Sequence, residues 1–211
     1  MNAAAQREAG AIEAADSGAE DGRHARRERN RLAVVDAMLQ LYRDGNLDPS
    51  SDEIAERAGL SPRSLFRYFD DLNDLVRAAI ARQHERLQPL ARLDLSTDAP
   101  LAVRITRLVD QRLALFEKIS SVGIVSRVRE PFQPLIASEL AISRSFLRRQ
   151  IEQLFQPELA QQGKAAAVGT LAAADVLTSF ESVRLLQHDQ QLTRAQVHTT
   201  LVNALTRLLE A

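Results

Sequence analysis

A chain of 211 residues, 45% hydrophobic and without cysteine, can bury one modest core with a smaller one beside it, and has no disulfide, thiolate nucleophile or cysteine zinc site. Its formal net charge of −1 excludes a uniformly basic coat, so any affinity for DNA must come from local clusters of charge. The longest weakly polar run, residues 165–180, contains Asp175 and is shorter than the ~20 apolar residues of a membrane span; the acidic start lacks the basic region and apolar core of a signal peptide, so a soluble cytoplasmic chain with no membrane partner is expected. Residues 1–22 are alanine-rich, glycine-containing and acidic, with no apolar periodicity, and are expected to be a disordered tail. From Arg23 to Arg31 five arginines accompany a single glutamate. This reads as a basic arm that can lie in a minor groove or along phosphates, Arg26, Arg27 and Arg29 included; the alternative is a solvated helix start. Leu32, Val35, Leu39 and Tyr42, widened by Val34, Met38 and Leu41, then predict a supporting helix that ends near Asp44 and Gly45.

Residues 50–69 carry the strongest local signal. Ser50 with Glu53 three residues on forms a capping box that starts a short helix. Gly59 follows Ala58 where that helix must end, since glycine enters the left-handed conformation at no steric cost. Ser61 then caps a second helix with Pro62 at its first position, and small Ala55 and Ala58 allow close approach. The pattern is a helix-turn-helix. On the second helix Arg63, Ser64 and Arg67 share one face, Leu65 and Phe69 the opposite one, and Phe66 and Tyr68 the borders, where a ring can sit half-buried. Guanidinium groups can take guanine O6 and N7 or neutralise phosphates, while hydroxyls serve bases or backbone. The DNA-contact set is therefore Arg26, Arg27, Arg29, Ser50, Ser61, Arg63, Ser64, Arg67 and Tyr68, within a DNA-binding domain spanning residues 23–70.

From Asp71 onward every periodic segment is helical, so the fold class is all-α. Asp71 and Asp74 open a connecting helix that Pro89 is expected to end. Asp98 and Pro100 start the next, with Val103, Leu108, Leu115 and Ile119 at apolar positions, and a short helix is expected before Glu130 and Pro131. After Pro134 a longer helix passes Ile142, Phe146 and Ile151 toward Pro157. An alanine-rich segment, Lys164 to Gln187, and a last helix from about Thr193 with Val197, Leu201, Leu205 and Leu208 in one stripe complete a helical bundle over residues 71–211.

The stretch from about Arg29 to Ala79 resembles the tetracycline-repressor (TetR) family of bacterial transcription regulators. The residues that carry the resemblance are Ile54-Ala55, Ala58-Gly59-Leu60-Ser61 and Leu65-Phe66-Arg67-Tyr68-Phe69, followed by Leu75. The resemblance implies a three-helix DNA-binding domain, a larger helical regulatory domain that forms a homodimer on a palindromic double-stranded operator, and release of that operator by a small-molecule effector. Ser61, Arg63, Ser64, Arg67 and Tyr68 match positions that touch bases or phosphates in the family. Phe66 departs from a phosphate-bonding tyrosine common there, and Leu72 from a lysine that often opens the fourth helix. The resemblance also implies that the last two helices make a four-helix interface with a second copy, through Leu171, Ala174, Leu177, Val197, Leu201 and Leu205. A ligand that shifted the helix starting at Asp71 would alter the separation of two recognition helices, roughly 34 Å on a two-fold site.

Polar groups inside apolar helical stretches, Gln111, Arg112, Glu181, Arg184 and His188, are candidates for holding that effector, with surface or interhelical contact as the alternative. Seven phenylalanines and two tyrosines are too few for an aromatic-lined pocket, which favours a flexible hydrophobic ligand such as an acyl chain or terpenoid. No enzyme is expected. The histidines 24, 84, 188 and 198 are scattered, and no phosphate loop, serine elbow or metal-binding pair is present, so no cofactor or metal is implied. Two other classes stay open: a ligand-independent DNA-binding activator or architectural protein, and a helix-turn-helix adaptor that grips another protein.

Overall fold

The computed structural model describes residues 24–94 and 96–210, whose regular elements are all helices, with no strand among them. Arg23 and the expected tail at residues 1–22 lie outside the described residues. Contacts divide the chain into two units, one ending at Gln83 and the other beginning at His84.

In the first unit, α1 covers residues 24–43 and is helical from residue 24. Arg26, Arg27 and Arg29 therefore stand exposed on a helix rather than on an extended arm. Arginine, glutamate and alanine are good helix formers, and they run directly into the apolar stripe. Val34, Val35, Met38, Leu39, Leu41 and Tyr42 are buried along α1. At its end Gly45 takes φ 91°, the Gly45 N–H donates to Tyr42 O at 3.2 Å and the Asn46 N–H to Leu41 O at 3.0 Å. That is a complete Schellman motif.

Helix α2 (Ser51–Arg57) and α3 (Pro62–Leu65) form the helix-turn-helix. A second Schellman motif ends α2, with Gly59 at φ 68° and the Leu60 N–H donating to Ala55 O at 2.9 Å. Ala55, Ile54, Leu65 and Phe69 are buried. Regular α3 is shorter than its face pattern suggests. After Leu65 the chain tightens into i→i+3 turns, with the Arg67 N–H on Ser64 O at 3.2 Å and the Tyr68 N–H on Leu65 O at 2.9 Å. Helix α4 (Leu72–Ala91) opens with Asp71 accepting the Asp74 N–H at 2.7 Å. Pro89 lies inside its last turn instead of ending it, a position where a missing N–H breaks little of the helix. The first unit extends past residue 70 because Leu75 and Ala79 of α4 are buried and because Asp74 and Arg82 pair with Arg31 and Asp36 of α1 at 3.7 and 3.6 Å.

The second unit contains the end of α4 with α5 (Leu101–Arg129), α6 (Pro134–Leu154), α7 (Gln156–Gln161), α8 (Lys164–Leu177), α9 (Phe180–Arg184), a π-helical turn (Leu185–Asp189) and α10 (Arg194–Leu209). Helix α5 is continuous to Arg129, without the separate short helix expected before Glu130. Pro100, rather than Asp98, is its N-cap; Asp98 bonds Ser96 instead. Along α5 the residues Ile105, Leu108, Val109, Leu113 and Phe116 meet Ile151, Leu154 and Phe155 and the inner side of α10 in one core. Val103, Ile142 and Phe146, expected on apolar faces, are exposed. The alanine-rich segment breaks after Leu177, where Thr178 bonds back to Ala174 O at 2.8 Å and Ser179 accepts the Ser182 N–H at 3.1 Å to cap α9. A capping box of Thr193 and Gln196 starts α10.

Candidate nucleic-acid interface and regulatory bundle

Ser50 and Ser61 cap the two helices of the helix-turn-helix. Ser50 donates its hydroxyl proton to Glu53 at 2.7 Å and accepts the Glu53 N–H at 3.3 Å, so its side chain starts α2. The bonds from the Ser50 backbone and side chain hold the Glu53 carboxyl below its ordinary range. Ser61 accepts the Ser64 N–H at 3.3 Å, and the two hydroxyls lie 2.9 Å apart. Pro62 fixes the entry to α3, which leaves Ser61, Arg63 and Arg67 exposed on the outer side of the turn while Leu65 and Phe69 anchor the inner side.

Tyr68 is half-buried, and its oxygen accepts from Asn30 at 2.8 Å and from Arg67 at 3.2 Å. The Asn30 bond, then the Arg67 bond, lowers the phenol's pKa. Two donors already sit on this oxygen, so the phenol's remaining hydrogen-bonding capacity is to donate its own proton. Arg67 lies 5.5 Å over the Tyr68 ring, a cation–π position beside the phenol it bonds. Phe66 is 53% exposed rather than half-buried, because the tightened turn rolls it outward beside the arginines. Asn30 is absent from the sequence-derived set. No local signal marks a residue 38 positions away from its partner.

The bundle candidates separate. Gln111 and Arg112 adjoin: Arg112, fully buried, donates to Gln111 and to Gln150 of α6. Glu181 instead accepts from Arg127 at 2.6 Å and pairs with Arg144 at 3.4 Å, while Arg184 and His188 are exposed. Of the expected interface residues, Ala174, Val197, Leu201 and Leu205 are buried in the unit's own core, and Leu171 and Leu177 pack against it. The apolar stripe faces inward because the monomer's own core covers it first. The outward side chains of α8 include Val168 and Val176, 60% and 64% exposed. Among the described residues there is no group of three metal-ligating side chains, and no single helix is long and apolar enough to cross a membrane.

Residues 35–79 match the family model of bacterial regulatory proteins, tetR family. No curated protein sequence matches the chain significantly. Among solved structures, a tetR-family transcriptional regulator from Streptomyces coelicolor superposes with a TM-score of 0.64 at 21% identity, over 84% of this chain and 81% of that one. A TetR-family transcriptional regulator from Rhodococcus sp. gives 0.66 at 16% identity, over 86% and 99%. GusR of Salmonella enterica gives 0.57 at 19% identity, over 87% and 96%. The family is one of non-enzymatic DNA-binding regulators. Residues 35–79 thus match the tetR family of bacterial regulatory proteins, and the chain has the fold of that family's transcriptional regulators.

Proposed function

We propose that this DNA-binding transcriptional regulator acts as a homodimeric repressor that a small, largely aliphatic molecule releases from a palindromic operator. The observation that carries the reading is the twice-capped α2–turn–α3 unit, which holds Ser61, Arg63 and Arg67 exposed above a buried Leu65 and Phe69. Arg63 and Arg67 read base edges, Tyr68 and Ser64 meet phosphates, and Arg26, Arg27 and Arg29 add salt-sensitive affinity from the start of α1. Ser50 contributes through α2 and its orphan N–H groups. Dimerisation uses the outward sides of α8 and α10, where Val168 and Val176 offer apolar area beside small residues. Release is a population shift: the effector binds the DNA-incompetent arrangement better by the factor by which it weakens the operator.

The test is fluorescence anisotropy of the purified protein with DNA from upstream of its own gene and with a scrambled control, at two salt concentrations. Preference for the upstream DNA by about a thousandfold or more is expected of a specific regulator. Equal and salt-sensitive binding to both would favour an architectural role, and no binding to either would favour an adaptor.

A further inference from the structure

Two arginines of α5 are buried, and the chain treats them differently. Arg104, 4% exposed, is met by the Glu158 carboxylate on two of its nitrogens. Arg112, fully buried, has only neutral acceptors: the side-chain oxygens of Gln111 and Gln150, the latter at 2.9 Å, and the Leu147 carbonyl at 2.9 Å. Its Nε has no acceptor at all. The acid whose field reaches it, Asp175, is engaged by Arg148 at 3.3 Å. A buried guanidinium without a carboxylate bonded to it is costly. Burial pushes its pKa down to about 10 against the opposing field of Asp175, so it is still a cation at neutral pH.

Beside it lies a groove of about 360 Å³ lined by Arg92, Leu93, Asp94, Arg107, Asp110 and Gln111. That volume suits a small ligand. Arg92 and Arg107 are its cations, set against Asp94 and Asp110, with His198 Nε2 3.2 Å from Asp110, so the groove's rim is balanced in charge and the unpaired cation is Arg112 behind Gln111. Gln111 belongs to both places: it lines the groove, and its side-chain oxygen holds Arg112. It is the partition between the groove and the uncompensated charge.

We propose that this groove binds a small organic carboxylate with an aliphatic tail, whose two oxygens displace Gln111 from the Arg112 guanidinium. The inference rests on the reading of the bundle as the effector-binding domain and names the chemical class of the effector. A carboxylate matches the planar fork of a guanidinium and supplies the missing charge, which the amide of Gln111 cannot. Leu93 is the apolar side chain of the lining and would take the tail. Gln111 also donates to Leu90 O at 2.9 Å and Ala91 O at 3.1 Å, and Gln150 to Ala91 O at 2.7 Å, so the two glutamines clamp the C-terminal end of α4. Moving Gln111 removes one of the two holds. Occupancy of the groove is thereby felt at the end of the helix that begins in the DNA-reading unit.

The test uses the full chain, with thermal melting and calorimetry against butanoate, hexanoate and octanoate, with hexanamide and inorganic phosphate as controls. At least one of the acids raises the melting temperature and binds once per chain, and neither control does. Arg112→Met weakens that acid by about tenfold or more, the loss of a charge-assisted fork, and without ligand melts no lower than the wild type because an uncompensated charge has gone. If that variant fails to fold, Gln111→Ala gives the answer, since removing the partition strengthens binding of the same acid. No binding by any acid, equal binding of hexanamide, stabilisation by phosphate alone, an unchanged affinity in Arg112→Met, or weaker binding in Gln111→Ala overturns the site. DNA is titrated in the same preparations. Selective DNA binding without acid binding overturns this site alone, whereas acid binding without selective DNA binding supports the site and overturns the repressor reading.

Discussion

Replacing Glu158 by glutamine keeps the shape of the side chain and removes one charge from a pair that is 95% and 86% withdrawn from solvent on its two sides, the exposures of Arg104 and Glu158 being 5% and 14%. Arg104 would retain its bonds to Ala99 O at 2.8 Å and Leu154 O at 2.7 Å, together with one amide oxygen, but its charge would be unanswered. Breaking a buried pair from one side costs about 3–5 kcal/mol, and the retained bonds place this variant near the lower end, about 3 kcal/mol. Urea unfolding followed by far-UV circular dichroism should show the second unit's midpoint falling by about 1–2 M. The pH dependence gives an independent check. The Arg104 hydrogen bond holds the Glu158 carboxyl below its ordinary 4.5, so the contribution is fully present above that value and is lost as pH falls through the lower folded value. Glu158→Gln should remove that part of the acid sensitivity. The double change Arg104→Met with Glu158→Leu should recover much of the stability, since neither charge is then buried alone. A loss below about 1 kcal/mol, as for a surface pair, or an acid slope unchanged in Glu158→Gln, would refute the reasoning.

Arg63→Ala and Arg67→Ala should each weaken operator binding by about 1–3 kcal/mol in anisotropy titrations while leaving the melting temperature unchanged, if each meets a base. Gly59→Ala has open space around its new methyl but must hold φ 68°, so it should cost about 1 kcal/mol through backbone strain alone, read by thermal melting of the first unit. Leu201→Ala should destabilise the second unit by about 2–5 kcal/mol in urea, because Leu201 is 1% exposed in its core. Val176→Lys, on the outward side of α8, should leave unfolding within about 0.5 kcal/mol of wild type yet shift sedimentation toward monomer; an unchanged dimer would remove that face from the interface.

The parts of this protein legible in its residues are those governed by bonds between near neighbours. Ser50 with Glu53, Ser61 with Pro62, Gly59, and Thr193 before the last helix mark helix ends by chemistry that acts within three or four positions, and each stands at a helix end in the structure. Apolar spacing likewise identified the inward faces of α1 and α10. It could not say what those faces meet. Val197, Leu201 and Leu205 have the same pattern whether they pack on α5 of their own chain or on a second copy, and only the path of the chain placed them in the monomer's core.

Charge was the least readable quantity. Arg104 and Arg112 stand two turns apart in the same apolar helix, yet one meets Glu158, 54 positions later, and the other meets only amides and a carbonyl. Asn30 reaching Tyr68 and the clamp of Gln111 and Gln150 on the end of α4 are of the same kind. By itself the sequence determined where helices begin, where they end and which side of each is apolar, because those follow from steric and hydrogen-bonding preferences within a turn or two. Which buried charge found a counter-charge, and which was left to neutral partners beside a groove, the tertiary structure decided, because a Coulomb interaction depends on distance and burial in space, and neither is a property of spacing along the chain.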